Sequence, residues 1–195
     1  SGSMTISHLR FGPRPIRSPY LIRRADFVAC SQFGFVGRVD VPGYAAPGAT
    51  LLLNSPHDPE ETWRRLPREW QETILARQLR LYVIDATGVA TASGLGRRTN
   101  TVLQTCFFAL SGVLPPAEAI TQIKAAIRKT YARKGEEVLR RNDAAVDAAL
   151  AALHSVPLPV EVTAAADVPA WSRFDHETDF VRRVTARLLA GEGDQ

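Results

Sequence analysis

Three short apolar runs separated by helical segments predict an α/β fold with a mostly parallel sheet. The runs are residues 25–31 (ADFVACS), 49–54 (ATLLLN) and 79–85 (LRLYVID). Each is a brief apolar stretch of the kind that forms a buried strand. Between the second and third runs lie strong helix-start signals, and the carboxy-terminal half carries long helical periodicity.

Residues 8–22 (HLRFGPRPIRSPYLI) hold three prolines, three arginines and no acid. Each proline removes a backbone donor and pushes its predecessor toward extended geometry, which excludes a helix. A strand over 6–11 running into a stiff cationic loop is expected. The first sheet run follows at 25–31. Residues 32–48 are rich in Gly, Pro and aromatics and read as a loop, with a short strand near 38–41. After the run at 49–54, Asp58 is a good N-cap, Pro59 suits the first helical position, and Glu60 and Glu61 favour the positive end of the helix dipole. Pro67 interrupts this helix. A second helix is predicted over 68–78, with Trp70, Ile74 and Leu75 on one face. Beyond the run at 79–85, a helical turn covers 89–93, and Gly94–Leu95–Gly96 breaks it. Thr99 or Asn100 then caps a helix reaching Leu110, with Val102, Leu103, Cys106, Phe107 and Leu110 apolar and Ser111–Gly112 ending it.

Pro115–Pro116 opens a long helical stretch striped with Ile120, Ile123, Ile127 and Tyr131. Gly135 breaks it, and 136–153 continues with Val138, Val146, Leu150 and Leu153. Seven Lys/Arg and five Asp/Glu between Glu118 and Asp147 cover the other face, as on a solvated helix. After Val156, VPLPVEVTAAADVPAW has three prolines and no periodicity, so it reads as a linker. Asp175 caps a last amphipathic helix with Phe180, Val184 and Leu188. The expected organisation is a tag scar at 1–3, one domain over 4–156, and a linker with a terminal helix over 157–195.

Composition narrows the function classes. The chain has 195 residues, 45% of them hydrophobic, as expected of one globular domain plus a tail. No apolar run approaches the ~18 residues of a membrane helix, and no secretory leader is visible, so no membrane role is expected, and reduced thiols fit a cytoplasmic protein. Net charge is +4, from 21 arginines and 3 lysines against 20 acids. Arginine's planar fork suits phosphate groups. No aromatics are grouped with the amino-terminal arginines as a single-strand platform requires, so nucleic acid is not an expected partner. Cys30 and Cys106 sit among apolar neighbours without CxxC spacing, so they read as small buried thiols and the chain offers no iron–sulfur or zinc site of its own.

The search for a self-contained active site fails. His8, His57, His154 and His176 occur in unrelated settings, without an HExxH or Ser–His–Asp pattern. Asp85 ends a strand, where it either faces a ligand or caps the next helix. Residues 94–100 (GLGRRTN) form the best local ligand candidate. Glycines allow close backbone approach, and a helix N-terminus follows with Arg97 and Arg98 beside it, an arrangement that holds phosphate or simply makes a turn. Gln104 is the one strongly polar residue expected inside the next helix. It either knits the core or meets a ligand.

Besides HLRFGPRPIRSPYLI, the stretches ADFVACSQFGFVGRVDV, APGATLLLNSP, RLYVIDA, GLGRRTNTVLQTCFFALSG, KTYARKGEEVLRRNDAAVDAALAALHSV and LLAGEGDQ occur in order along the chain. Together they resemble the gamma region of pyruvate:ferredoxin (or flavodoxin) oxidoreductases and its exit linker, within the 2-oxoacid:ferredoxin oxidoreductase family. The resemblance implies a three-layer, Rossmann-like α/β domain with a long helical carboxy-terminal half. It also implies that the family's first β–α elements, with their glycine-rich turn, are lacking here. An exposed sheet edge and a homodimer become possible outcomes. It implies an enzyme that decarboxylates pyruvate on thiamine diphosphate and Mg, passes acetyl to coenzyme A, and sends electrons through [4Fe–4S] clusters to ferredoxin or flavodoxin. Thiamine and clusters would belong to other domains or subunits, leaving this chain inactive alone, with no catalytic residue and no metal. Coenzyme A or a neighbouring domain would meet Arg97, Arg98, Asn100 and Gln104, with Arg14 and Arg17 as further anchors. The alternative is a stand-alone, non-catalytic interaction protein derived from such a domain.

Overall fold

A computed structural model of the chain describes residues 5–12, 14–17 and 21–164. Four strands, β1 (Ala25–Cys30), β2 (Ala45–Asn54), β3 (Arg80–Ile84) and β4 (His154–Ser155), lie in that order in one sheet. β1, β2 and β3 run parallel, and the short β4 joins β3 antiparallel, with Val83 opposite His154. The helices are α1 (Pro59–Arg65), α2 (Arg68–Ala76), α3 (Ala86–Ala92), α4 (Asn100–Ser111), α5 (Pro116–Tyr131) and α6 (Glu136–Ala151).

The period of two along each strand divides the core into two faces. Cys30, Leu51, Leu53, Leu81 and Val83 point to one side, against Trp63 and Leu66 of the first helix and its end, and Trp70 and Ile74 of the second. Leu52 and Ile84 point to the other, against Ala86, Ala90, Val102, Cys106, Ala145 and Ala149 of α3, α4 and α6. Small alanines let these helix backbones approach closely. Outside them α5 packs Ile123 and Ile127 on Val146. The result is the expected three-layer α/β arrangement with a helical carboxy-terminal half.

Local signals place most element ends. Asp58 Oδ1 accepts from Glu61 N at 2.7 Å and Pro59 opens α1. Pro67 separates α1 from α2. Gly112 closes α4 at φ +68, a left-handed conformation that glycine adopts without Cβ strain.

Several expectations are corrected. No strand forms over 6–11. Instead of pairing with β1, this segment lays the Phe11 ring on Phe107 and Phe108 of α4, at centroid distances of 5.5 and 6.4 Å. His8 Nδ1 accepts from Ile22 N at 3.2 Å and closes the loop on itself. Residues 38–41 form turns, not a strand. β2 starts at Ala45 rather than 49. Its register slips between Ala25 and Phe27, so Pro47 and Gly48 sit in a bulge within the strand. The third helix starts at Ala86, three residues before the expected turn, because Asp85 caps it. On α6 the inward stripe is Asn142, Val146 and Ala149, while Leu150 is exposed. The amphipathic helix expected after Asp175 lies outside the described residues.

Candidate functional site: the carboxyl ends of the parallel strands

The chain leaves β2 for α1 on one face of the sheet and leaves β3 for α3 on the other. Adjacent parallel strands whose connections depart to opposite faces open a crevice between their carboxyl ends, the place where α/β sheets bind ligands. Here the crevice measures about 230 Å³ and is lined by Pro56, His57, Asp58 and Pro59 from one lip, Asp85 from the other, and His154 from β4.

Its walls are held by local polar bonds. Asn54, the last residue of β2, donates from Nδ2 to Ser31 O and accepts at Oδ1 from Ala86 N, both at 2.9 Å, so one amide ties the end of β1 to the start of α3. Buried Ser55 and Thr62 share a 2.7 Å hydroxyl bond, and Ser55 Oγ accepts from His57 N at 3.2 Å. The His57 ring stands edge-on to Phe33 at 5.4 Å. Asp58 and Asp85 are caps: Asp85 Oδ1 accepts from Gly88 N at 2.8 Å, which decides between the two roles open to it. Among the described residues no hydrogen bond joins an imidazole to a carboxylate here, and no nucleophile faces a base. The crevice has polar contacts for a small ligand and no acid–base pair.

The glycine loop lies between α3 and α4. Gly94 and Gly96 take φ +75 and +63, and Leu95 between them is buried as an anchor. Gly94 has a second reason to be glycine, since a Cβ there would stand 3.1 Å from Arg141 Cδ on α6. Arg98 Nε donates to Leu95 O at 3.1 Å, holding its own turn. Arg97 is exposed, and among the described residues it has no hydrogen-bond or ion-pair partner. Asn100 opens α4 and is exposed. Gln104, expected in the interior, is exposed one turn later on the Asn100 face, because α4 buries Val102, Thr105 and Cys106 instead. Arg97, Arg98, Asn100 and Gln104 therefore cluster around the amino end of one helix. Arg14 and Arg17 are exposed on the amino-terminal arm. Among the described residues neither forms an ion pair.

The buried glutamine among the described residues is Gln71 on α2, which sequence reasoning passed over; His57 and His154, read as lying in unrelated settings, line the same crevice. Asn54 carried a usable signal, a polar residue ending an apolar strand. Gln71 carried none, because its partners lie 92 and 93 positions away.

Both thiols are buried, which disfavours the thiolate. Desolvation raises Cys30 and pushes Cys106 up to about 12. Cys30 belongs to the α1–α2 face and Cys106 to the α3–α4 face, so the sheet separates them and they cannot ligate one cluster. Among the described residues no three His, Cys, Asp or Glu side chains converge as a metal site. The donor set of these residues does not fit an iron–sulfur cluster. No helix among them is long and apolar enough to cross a membrane.

Residues 1–152 match the family model described as pyruvate ferredoxin/flavodoxin oxidoreductase. The chain belongs to this family. Across 194 residues it is 59% identical to a pyruvate-flavodoxin oxidoreductase of Rhodospirillum rubrum, covering 100% of this chain and 16% of that protein. A putative pyruvate-flavodoxin oxidoreductase of Synechocystis is 50% identical over 196 residues, with coverage of 100% and 16%. The pyruvate:ferredoxin oxidoreductase of Moorella thermoacetica is 43% identical over 195 residues, with coverage of 100% and 17%. The chain thus spans about one sixth of the length of these relatives. Among solved structures, pyruvate oxidoreductase subunit PORC of Thermotoga maritima superposes with a TM-score of 0.55 at 17% identity, over 70% of this chain and 67% of that one. That likeness establishes the α/β fold.

Proposed function

We propose that this chain is the gamma region of a larger oxidoreductase that converts pyruvate and coenzyme A to acetyl-coenzyme A and passes electrons to ferredoxin or flavodoxin. It is a non-catalytic module that packs against the domains or subunits doing the chemistry. The supporting observation is alignment over 100% of this chain with only 16 or 17% of oxidoreductase relatives. In this reading thiamine diphosphate, Mg and the [4Fe–4S] clusters are held elsewhere in the enzyme, which resides in the cytoplasm. A homodimer of the isolated chain is a further expectation, arising from the edge of β1, which no strand among the described residues covers.

Arg97, Arg98, Asn100 and Gln104 are the residues we assign to coenzyme A or to the domain beside it, with Arg14 and Arg17 as outlying anchors. Two guanidinium groups at the amino end of a 12-residue helix suit a diphosphate. The test is coenzyme A titration of the whole enzyme carrying Arg97→Ala and Arg98→Ala. Each lost charge-assisted contact is expected to weaken binding about tenfold or more. Unchanged affinity removes the phosphate role. Pyruvate oxidation by the isolated chain supplied with thiamine diphosphate, Mg and coenzyme A would overturn the module reading itself.

A further inference from the structure

We propose that residues 156–164 form a strap, latched by Gln71, that opens independently of the domain and fixes where the following chain leaves it. The proposal stands apart from the enzyme reading, since it rests only on contacts within this chain.

The strap begins where β4 ends. Val156 N donates to Leu81 O at 2.9 Å, Val156 is buried, and Leu158 packs on the α1–α2 face of the core. From 157 to 162 no backbone hydrogen bond ties the segment to the domain among the described residues. Pro157 and Pro159 have no N–H to give, and Val160 is 96% exposed. The chain is then caught again at Thr163 and Ala164.

That second anchor is a built site. Gln71 is fully buried, and its amide is used at both ends. Nε2 donates to Trp63 O at 2.8 Å, which also accepts from Leu66 N at 3.1 Å, and to Leu66 O at 3.5 Å, at the point where Pro67 stops α1. Oε1 accepts from Thr163 N at 2.9 Å, Ala164 N at 3.0 Å and Thr163 Oγ1 at 3.4 Å. Two neighbours reinforce it: Trp63 Nε1 donates to Thr163 Oγ1 at 3.0 Å, and Arg68 Nη1 donates to Ala164 O at 3.2 Å. The elbow between α1 and α2 therefore holds a turn of backbone, satisfying the N–H groups of Thr163 and Ala164 and the Ala164 carbonyl. A segment held at two points, with an exposed proline-bearing span between them, opens as a local unit. Ala164 is held at this elbow while the latch is closed.

The test uses the 195-residue chain with Gln71→Leu and Thr163→Pro, followed by amide hydrogen exchange and the Trp63 indole N–H resonance. Thr163→Pro removes the Thr163 N–H and the hydroxyl that accepts from the Trp63 indole while replacing no core side chain, so it decides the question even where Gln71→Leu disturbs the fold. The expected result is exchange at Ala164 at least about tenfold faster, with loss of Trp63 indole protection. Amides of Leu51–Leu53 and Leu81–Val83 should keep their wild-type rates. Wild-type protection at Ala164 and the Trp63 indole in Thr163→Pro would overturn the latch, leaving Val156 and Leu158 packing as the only hold. Equal acceleration in the strap and the core strands would overturn its independence.

Discussion

Arg77, just past α2, organises the irregular start of β2, and its replacement separates charge from geometry. A single guanidinium nitrogen, Nη1, donates toward Pro42 O at 3.1 Å, Gly43 O at 2.9 Å and Ala45 O at 2.9 Å. The Arg77 carbonyl accepts from Gly48 N in the bulge at 2.8 Å. That nitrogen has two hydrogens for three acceptors, so at least one bond is shared. Hydrogen bonds from a charged donor contribute about 1.5–3 kcal/mol each, less where water competes. Arg77 is half-buried and Ala45 fully buried, so Arg77→Met should cost about 2–3 kcal/mol. For a chain of this size that is roughly 5–10 °C in Tm. An ammonium offers three hydrogens from one atom, matching three converging carbonyls, though on a shorter stem. Arg77→Lys should therefore recover at least about half of the loss. Urea unfolding followed by tryptophan fluorescence, with a common m value, measures both. Equal destabilisation by Met and Lys, or a cost below about 0.5 kcal/mol for Met, would refute the clamp.

Two further predictions concern ionisation. Cys106 is held protonated up to about 12, against a usual value of 9.0. Its contribution to stability is complete below pH 9 and is lost as pH rises toward 12, because the unfolded thiol ionises first. The slope approaches about 1.4 kcal/mol per pH unit and should vanish in Cys106→Ala, while a thiol reagent at pH 9 should label the native thiol only through opening. Half-buried Glu61, bonded to Arg64 and Arg65, and exposed Glu137, bonded to Arg140 and Arg141, both titrate below the usual 4.5. Their contributions are present above that value and lost as pH falls through the lowered pKa. Carboxyl NMR titrations should show both depressions shrinking in molar salt, and a salt-independent value would contradict an exposed ion pair.

What was legible in the sequence is what local chemistry decides. Asp58 and Pro59 announce α1 through neighbouring N–H groups, and the alternation of Leu51, Leu52 and Leu53 through two faces follows from strand geometry alone. The errors arise where a distant partner decides. Residues 6–11 alternate like a strand, yet Phe11 finds the α4 aromatics instead of a pairing edge. Pro47–Gly48 carries the chemistry of a loop, but Gly48 N is satisfied by Arg77 O, so the strand continues through it. Gln104 and Gln71 are alike in type and opposite in burial. Only the packing of α4 on α6, and of α2 beneath the strap, separates them. At the candidate site the glycine loop was visible because its strain is local. The crevice was hidden, because it depends on which face each crossover takes.

That dependence bears on the division of labour within the proposed enzyme. The two crossovers put Trp63, Trp70 and Gln71 on one face and the alanine-lined helices on the other, with one cysteine buried in each. Reactive sulfur is thereby neutralised, since burial removes the thiolate and the sheet keeps the pair apart. The carboxylates at the strand ends cap helices, Asn54 joins three elements, and Gln71 joins a helix to a strap. Side chains engaged in this way orient backbone. Among the described residues, Arg97 beside the α4 amino end, and Arg14 and Arg17 on the proline-stiffened arm, are exposed and outside any ion pair, as are acids such as Glu60 and Glu118. Positive charge carried on glycine turns and proline segments, with a tightly bonded frame behind it, suits holding an anionic group or an acidic neighbour in place while chemistry proceeds elsewhere.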